Sequence, residues 1–379
     1  MNQAAAFSRI QTGAVIAMAI VAGCLPALLP ILLGGLLDEH RISSDQIGHA
    51  ATAEALGRVV ATVLAGALLR PVHLRAIVAM AALVMIVTNG ATLYLGIGGI
   101  LAARFLNGAA AGMILWVLVG LLARASQPGR LFAIYVTMLS VVTFLLSSLI
   151  MLLLPKWGVA SGYVVLMLIG IVPLILSSFI PGEYPRLVQA GISQRPNAQG
   201  LVGLCAVTLF MAGVFAIWVY IGPLAKQLGH PAGQVHHAIS VALGLQIFGG
   251  LAATRLADRW DGAVTTALAS MLAAASVFLL LFMPQPWALY VSISLIALAW
   301  MFTPSFHLPM ILGFDPSGRS AIFISTAQLG GIALGPLIAS SLIGANDFRG
   351  AVMASIGAFA CCVLLLGILG SSRAQSRTG

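Results

Sequence analysis

Apolar residues fall along this chain in blocks of about 20, the length needed to cross a bilayer as a helix. Twelve such blocks stand out, at 12–37, 46–69, 76–96, 97–122, 131–154, 158–180, 200–224, 234–257, 263–283, 286–312, 321–344 and 350–370. Only Gly96, Gly98 and Gly99 separate the third block from the fourth, which predicts a tight turn there. The longest polar stretch, 181–199, divides the chain evenly. The pattern predicts an all-α integral membrane protein. Two six-helix bundles, residues 1–180 and 200–379, are joined by a cytoplasmic linker at 181–199, the parallel-repeat arrangement of many transporters.

Composition agrees with that pattern. Apolar residues make up 60% of the chain and Asp, Glu, Lys and Arg only 7%, with a mean hydropathy of +1.07. A soluble surface needs far more charge, about a quarter of all residues, so this surface faces lipid. The net charge of +9 would suggest nucleic acid in a soluble protein. Here the basic residues lie in short loops between apolar runs, which excludes that partner. Arg9, Arg70, Arg75, Arg124, Arg130, Arg186, Arg195, Arg255, Arg259, Arg319, Arg373 and Arg377 fall on one side, and Arg41, Lys156, Lys226 and Arg349 on the other. The asymmetry predicts a multi-pass inner-membrane protein with both termini in the cytoplasm. Cys24, Cys205, Cys361 and Cys362 lie inside apolar segments and read as packing residues. Arg9 followed directly by an apolar run predicts an uncleaved first helix.

Short motifs add a family resemblance. Between the eighth and ninth spans, Thr254-Arg255-Leu256-Ala257-Asp258-Arg259-Trp260-Asp261-Gly262 resembles the Gly-x-Leu-Ala-Asp-Arg-x-Gly loop of the major facilitator superfamily. The matching loop after the second span keeps Gly66 and a basic end at Arg75, but has Arg70 where the family has Asp. In the fourth span, Arg104-Phe105-Leu106-Asn107-Gly108 resembles the family's Arg-x-x-Gln-Gly, with Asn107 for Gln. Gly331-Ile332-Ala333-Leu334-Gly335-Pro336 looks like the antiporter Gly-x-x-x-Gly-Pro signature. It stands on the eleventh span, whereas the family's antiporters carry it on the fifth. The fifth span here has neither Gly nor Pro. The stretch 210–259, with Tyr220-Ile221-Gly222-Pro223-Leu224, looks like the second half of the bacterial sugar and drug efflux branch. The resemblance implies a monomeric transporter without a cofactor, working by alternating access. It implies a cytoplasmic latch at Gly66, Arg70, Asp258 and Arg259, a hinge at Gly331, Gly335 and Pro336, and proton coupling through Arg104.

An ionisable group in the hydrocarbon core costs roughly 2.5–3.5 kcal/mol or more, so each one needs a reason. Glu54, Arg58 and Arg104 are the deep ones. Spans 2 and 4 run the same way, and both Glu54 and Arg104 fall about 10–12 Å below the outer surface at 1.5 Å per residue. Arg58 shares a helix face with Glu54 at i+4. Three readings of this cluster stand side by side: an ion pair stapling spans 2 and 4, a proton site on Glu54, or an anion site suited by two cations to one acid. Candidates for the substrate cavity are Asn107, Trp218, Tyr220, Gln246, Trp300, His307 and Gln328. Pro304 and Pro309 predict a broken helix around His307. His230, His236 and His237 lack the spacing of a metal site, and no metal is expected.

Few hydrogen-bonding groups line these spans, which favours a small amphipathic substrate over a polyol. The leading expectation is proton-coupled export of a small organic compound; the alternative is proton-coupled uptake of an organic anion. No His-Glu-x-x-His, Gly-x-Ser-x-Gly or P-loop occurs, which argues against an embedded enzyme or an ATP-driven pump. No Thr-Val-Gly-Tyr-Gly filter occurs either, which argues against a channel.

Overall fold

The structure, a computed structural model, describes residues 7–185, 196–257, 259–344 and 347–378. The described residues fold as helices, with a single isolated β-bridge between Gly344 and Asp347. The chain forms two compact units, Met1–Ile42 with Ala53–Ala190, and Ser43–Thr52 with Gly191–Gly379.

The first unit contains α1 (Arg9–Gly23), α2 (Leu25–Asp38), most of α3 (Ser44–Leu68), α4 (Leu74–Thr92), α5 (Ile97–Leu122) and α6 (Pro128–Leu176). The second contains α7 (Ala198–Trp218), α8 (Ile221–Gln227), α9 (Ala232–Leu256), α10 (Gly262–Phe282), α11 (Pro286–Phe302), α12 (Pro304–Phe314), α13 (Ile324–Leu342) and α14 (Arg349–Thr378). Ten stretches are long and apolar enough to cross a membrane, and α11 with α12 forms an eleventh, bent by 47°. The longest stretch, Gly129–Phe179, is two spans joined at Gly158, which raises the total to the twelve that the sequence predicts. Gly158 has φ 65°, a conformation that a side chain would strain. Glu39 accepts a hydrogen bond from the Val159 amide at 2.6 Å and so caps the span that follows.

Three spans are interrupted, two of them by proline. Pro26 has no N–H to give the Ala22 carbonyl, and the first span divides at Cys24 into α1 and α2. Pro304 likewise withholds a donor from the Trp300 carbonyl, and the tenth span bends at Thr303. The helix expected at 200–224 stops at Trp218 and resumes as the short α8. The third span ends earlier than the apolar pattern predicts, at Thr92, and the turn occupies residues 93–96 with Gly96 extended as the N-cap of α5.

The outward faces are apolar, as lipid requires. Leu68, Val87, Phe248 and Leu364 are each at least 64% exposed, a density of bare apolar surface that a water-soluble monomer does not carry. Trp157 and Trp287 are also exposed. The start of the expected linker is held against the first unit. The Leu74 amide donates to the Gly182 carbonyl (2.9 Å), and the Tyr184 amide donates to that of Pro71 (2.8 Å). Tyr184 is 4% exposed and its hydroxyl donates to the Val117 carbonyl. Arg124 lies over its ring and donates to the Pro185 carbonyl at 2.7 Å. Residues 186–195 of the linker lie outside the described residues.

In the second unit most of α7 is buried, and α13 lies directly on it. The first turns of α3 belong here too, with the Thr52 hydroxyl donating to the Ala333 carbonyl at 3.0 Å.

Candidate functional site

The deep charges meet because two helices touch through glycine. A Cβ at Gly57 on α3 would stand 2.9 Å from the Ala109 nitrogen of α5. A Cβ at Gly108 would run into the Glu54 backbone, and one at Gly112 would stand 2.6 Å from the Arg58 carbonyl. Only hydrogen fits at these places, so the two backbones approach closely, as small residues permit in membranes. Glu54 and Arg104 then project into the same space from neighbouring helices.

Glu54 sits between two cations. Its Oε1 lies 3.6 Å from Arg58 Nη2 and its Oε2 3.6 Å from Arg104 Nη1. All three residues are buried, at 2%, 6% and 1% exposure respectively. Neither Glu54 oxygen receives a hydrogen bond, and the Nε–H groups of Arg58 and Arg104 have no acceptor. The pairs are electrostatic contacts beyond hydrogen-bond length, unlike the 2.7–2.9 Å contacts of a locked charge pair.

The two arginines are held differently. Arg104 Nη2 donates to Asn89 Oδ1 (3.0 Å), to Thr92 Oγ1 (2.9 Å) and, at 3.4 Å, to the Thr88 carbonyl. Its guanidinium also lies 5.3 Å from the centre of the Tyr163 ring. Asn107 supports the same face of α4, donating to Thr88 Oγ1 at 3.0 Å and to the Met85 carbonyl at 3.4 Å. Arg58 has one long hydrogen bond, 3.4 Å from Nη2 to the Ala22 carbonyl. That carbonyl is the one Pro26 leaves without a helical donor.

The other candidate cavity residues lie in the second unit. The Gln328 amide donates to His307 Nδ1 at 3.0 Å, so the neutral ring carries its proton on Nε2, where it is buried without an acceptor. The edge of Phe210 packs on that ring at 5.8 Å. Trp300 lies 5.6 Å from Trp218 and 4.9 Å from Phe215. Trp218 Nε1, Gln246 Oε1 and Thr303 Oγ1 are buried without partners. His307 thus joins Gln328 and Trp218 joins Trp300, while Asn107 belongs with Arg104 in the first unit.

Gly331 and Gly335 sit where the α7 backbone presses on α13, near Thr208 and Ala212, and α13 runs unbroken through Pro336. Among the latch candidates, Gly66 has open space around it and Arg70 and Arg259 are exposed. Asp258 lies outside the described residues. Sequence reasoning missed Thr88, Asn89, Thr92 and Tyr163. The first three carry a signal, since the spacing i, i+1, i+4 puts a polar strip on an otherwise apolar span.

Comparison with known proteins places this geometry in context. The family model described as Major Facilitator Superfamily matches residues 12–312. No curated protein sequence matches the chain. The solved nucleoside transporter NupG superposes with a TM-score of 0.75 at 11% identity, covering 96% of this chain and 99% of that one. A point variant of the same transporter gives 0.73 at 10% identity, with 95% and 99% covered. The human organic anion transporter MFSD10 gives 0.63 at 13% identity, again with 95% and 99% covered. At these identities the structures share a fold with this chain.

Proposed function

The chain belongs to the major facilitator superfamily, and from that premise we propose that it is a proton-coupled secondary transporter of a small organic compound, with Glu54 as the group that takes and releases the proton. One observation carries the reading: a buried carboxylate in a membrane span, flanked at 3.6 Å by Arg58 and Arg104, with no hydrogen bond to either oxygen. An intramembrane acid of this kind marks a transport pathway by default. Two cations favour the ionised acid, while the surrounding apolar helices favour the protonated one. Small changes in this balance move a proton on or off. When Glu54 is protonated, its attraction to Arg58 and Arg104 weakens, and Arg104 keeps its bonds to Asn89 and Thr92. The cluster then has two arrangements, which alternating access requires.

The second unit supplies neutral hydrogen-bonding groups beside aromatic rings, at His307, Gln328, Trp218 and Trp300. These suit a small amphipathic compound. The neighbours named for nucleosides and for organic anions set the first candidates.

The test uses the full chain in proteoliposomes with a pH-sensitive dye inside, and gradients of nucleosides and of organic acids imposed in turn. A coupled compound moves protons in the wild type. In Glu54→Gln the gradient-driven proton flux disappears while exchange of labelled compound across the bilayer continues. The sign of proton flow against substrate flow separates exporter from importer. Undiminished proton coupling in Glu54→Gln makes the cluster a staple between α3 and α5 instead.

A further inference from the structure

We infer that the transported compound is an organic monoanion whose charged group docks on Arg58, an assignment that rests on the proton reading of Glu54. Charge count comes first. In the first unit, Glu54 is the only buried acid among the described residues, and it faces two buried arginines. The cluster therefore carries an uncompensated positive charge even with Glu54 ionised, and a buried cation without a counter-charge is costly.

The two arginines share that excess unequally. Three oxygen acceptors and an aromatic face disperse the charge of Arg104, all on α4 and α6. Arg58, 6% exposed, has one carbonyl at 3.4 Å, and its Nε–H, like that of Arg104, has no acceptor. Of the two, Arg58 has the donors left for a carboxylate, whose oxygens match a guanidinium fork. Besides Glu54, its neighbours offer no rival carboxylate. The other titratable groups in electrostatic reach of Arg58 are Tyr135 from α6 and Cys24 at the α1–α2 break, with Arg104 of α5 on the far side of Glu54.

Glu54 competes with such an anion for Arg58. Protonating Glu54 removes the competitor and leaves the cluster more positive, so proton and anion bind together. The transported load is then one proton and one negative charge, which moves without net charge.

The test is binding to the purified full chain, read by thermal shift, with benzoate and nicotinate each beside its neutral amide. The acids stabilise and the amides do not. Acid affinity rises as pH falls. In Glu54→Gln it is about tenfold tighter at alkaline pH, a coupling of ordinary size, and loses its pH dependence. Arg58→Gln abolishes it. Arg58→Lys, which keeps a cation in place and is less disruptive to folding, weakens it without abolishing it. Acid binding that needs Arg58 but ignores both pH and Glu54 upholds the anion site and overturns the proton reading. Amides that bind as well as their acids, or no acid binding in a protein whose Glu54 still couples protons, overturn the anion site and leave the proton reading in place.

Discussion

At the scale of residues, Glu54 differs from a structural staple in how it is held. A staple gains its strength from short, multiple hydrogen bonds. Here Arg104 makes those bonds, donating to Asn89 and Thr92 at 3.0 and 2.9 Å, and Glu54 has none. The acid is the loose member and Arg104 the fixed one. Asn89→Ala should therefore lower stability by about 1–3 kcal/mol, since it leaves a buried charged donor without its acceptor. Thermal unfolding in detergent measures this, and an unchanged midpoint would mean that Asn89 does not hold Arg104. Glu54, Arg58 and Arg104 were legible in the sequence because charge in an apolar span is conspicuous, and because residue counts put Glu54 and Arg104 at the same depth. The polar strip of Thr88, Asn89 and Thr92 was visible, but that it meets Arg104 was not, and Tyr163 carried no signal. A neutral polar residue is unremarkable in a span until its partner is known, and these residues reach Arg104 from two other helices, α4 and α6.

At the scale of elements, proline and glycine set the geometry. Pro26 frees the Ala22 carbonyl that Arg58 uses. Pro26→Ala restores an N–H to that carbonyl, so α1 and α2 should join more nearly into one helix and Arg58 should lose its only backbone acceptor. Proton-coupled transport is expected to fall while the protein remains folded by size-exclusion chromatography; transport at the wild-type rate would show that Arg58 does not need Ala22. The apolar pattern predicts 12–37 as one block and does not show this break, and Pro30 and Pro336 lie inside helices that run on, so a proline alone does not locate one. The glycine contacts were readable only in part. Gly108 and Gly112 form a small-residue pair on α5, but that they face Glu54 and Arg58 is tertiary information. Gly108→Ala places a methyl group against the Glu54 backbone and is expected to cost about 1–3 kcal/mol or more as overpacking, with the cluster forced apart. Full stability and full coupling in that variant would contradict the close approach of α3 and α5.

Loop chemistry adds a pH effect at the end of α12. Hydrogen bonds from Ser317 and then Ser320 hold the Asp315 carboxyl well below the usual carboxylate range. The unfolded chain binds that proton more readily than the folded one. The stabilisation is therefore complete above the unfolded value, about pH 4, and is lost as pH falls below it. Thermal unfolding should show Asp315→Asn destabilised at neutral pH, with a smaller further loss on acidification than the wild type. Equal acid sensitivity in the two proteins would remove Asp315 from the explanation.

At the scale of the whole molecule, the twelve spans follow from where water is absent. Every backbone group must be paired inside its own helix, so apolar blocks of sufficient length become helices and their ends become turns. The ends of α5 match the apolar block to the residue. The first, sixth, seventh and tenth spans show breaks or short continuations, because a proline, a glycine or a cap there outweighs hydropathy. Chemistry is divided between the units. The buried Glu54, Arg58 and Arg104 lie in the first, and the aromatic rings with His307 and Gln328 lie in the second.

Infrared difference spectroscopy of the purified full chain in lipid, recorded between acidic and alkaline pH, reads the protonation of Glu54 most directly. A carboxylic-acid carbonyl band that appears on acidification in the wild type and is missing in Glu54→Gln is the predicted result. Its midpoint should shift when a bound organic acid is present. Spectra of wild type and Glu54→Gln that agree in this region across the whole pH range would mean that Glu54 stays ionised between its two arginines, and would contradict proton coupling through this residue.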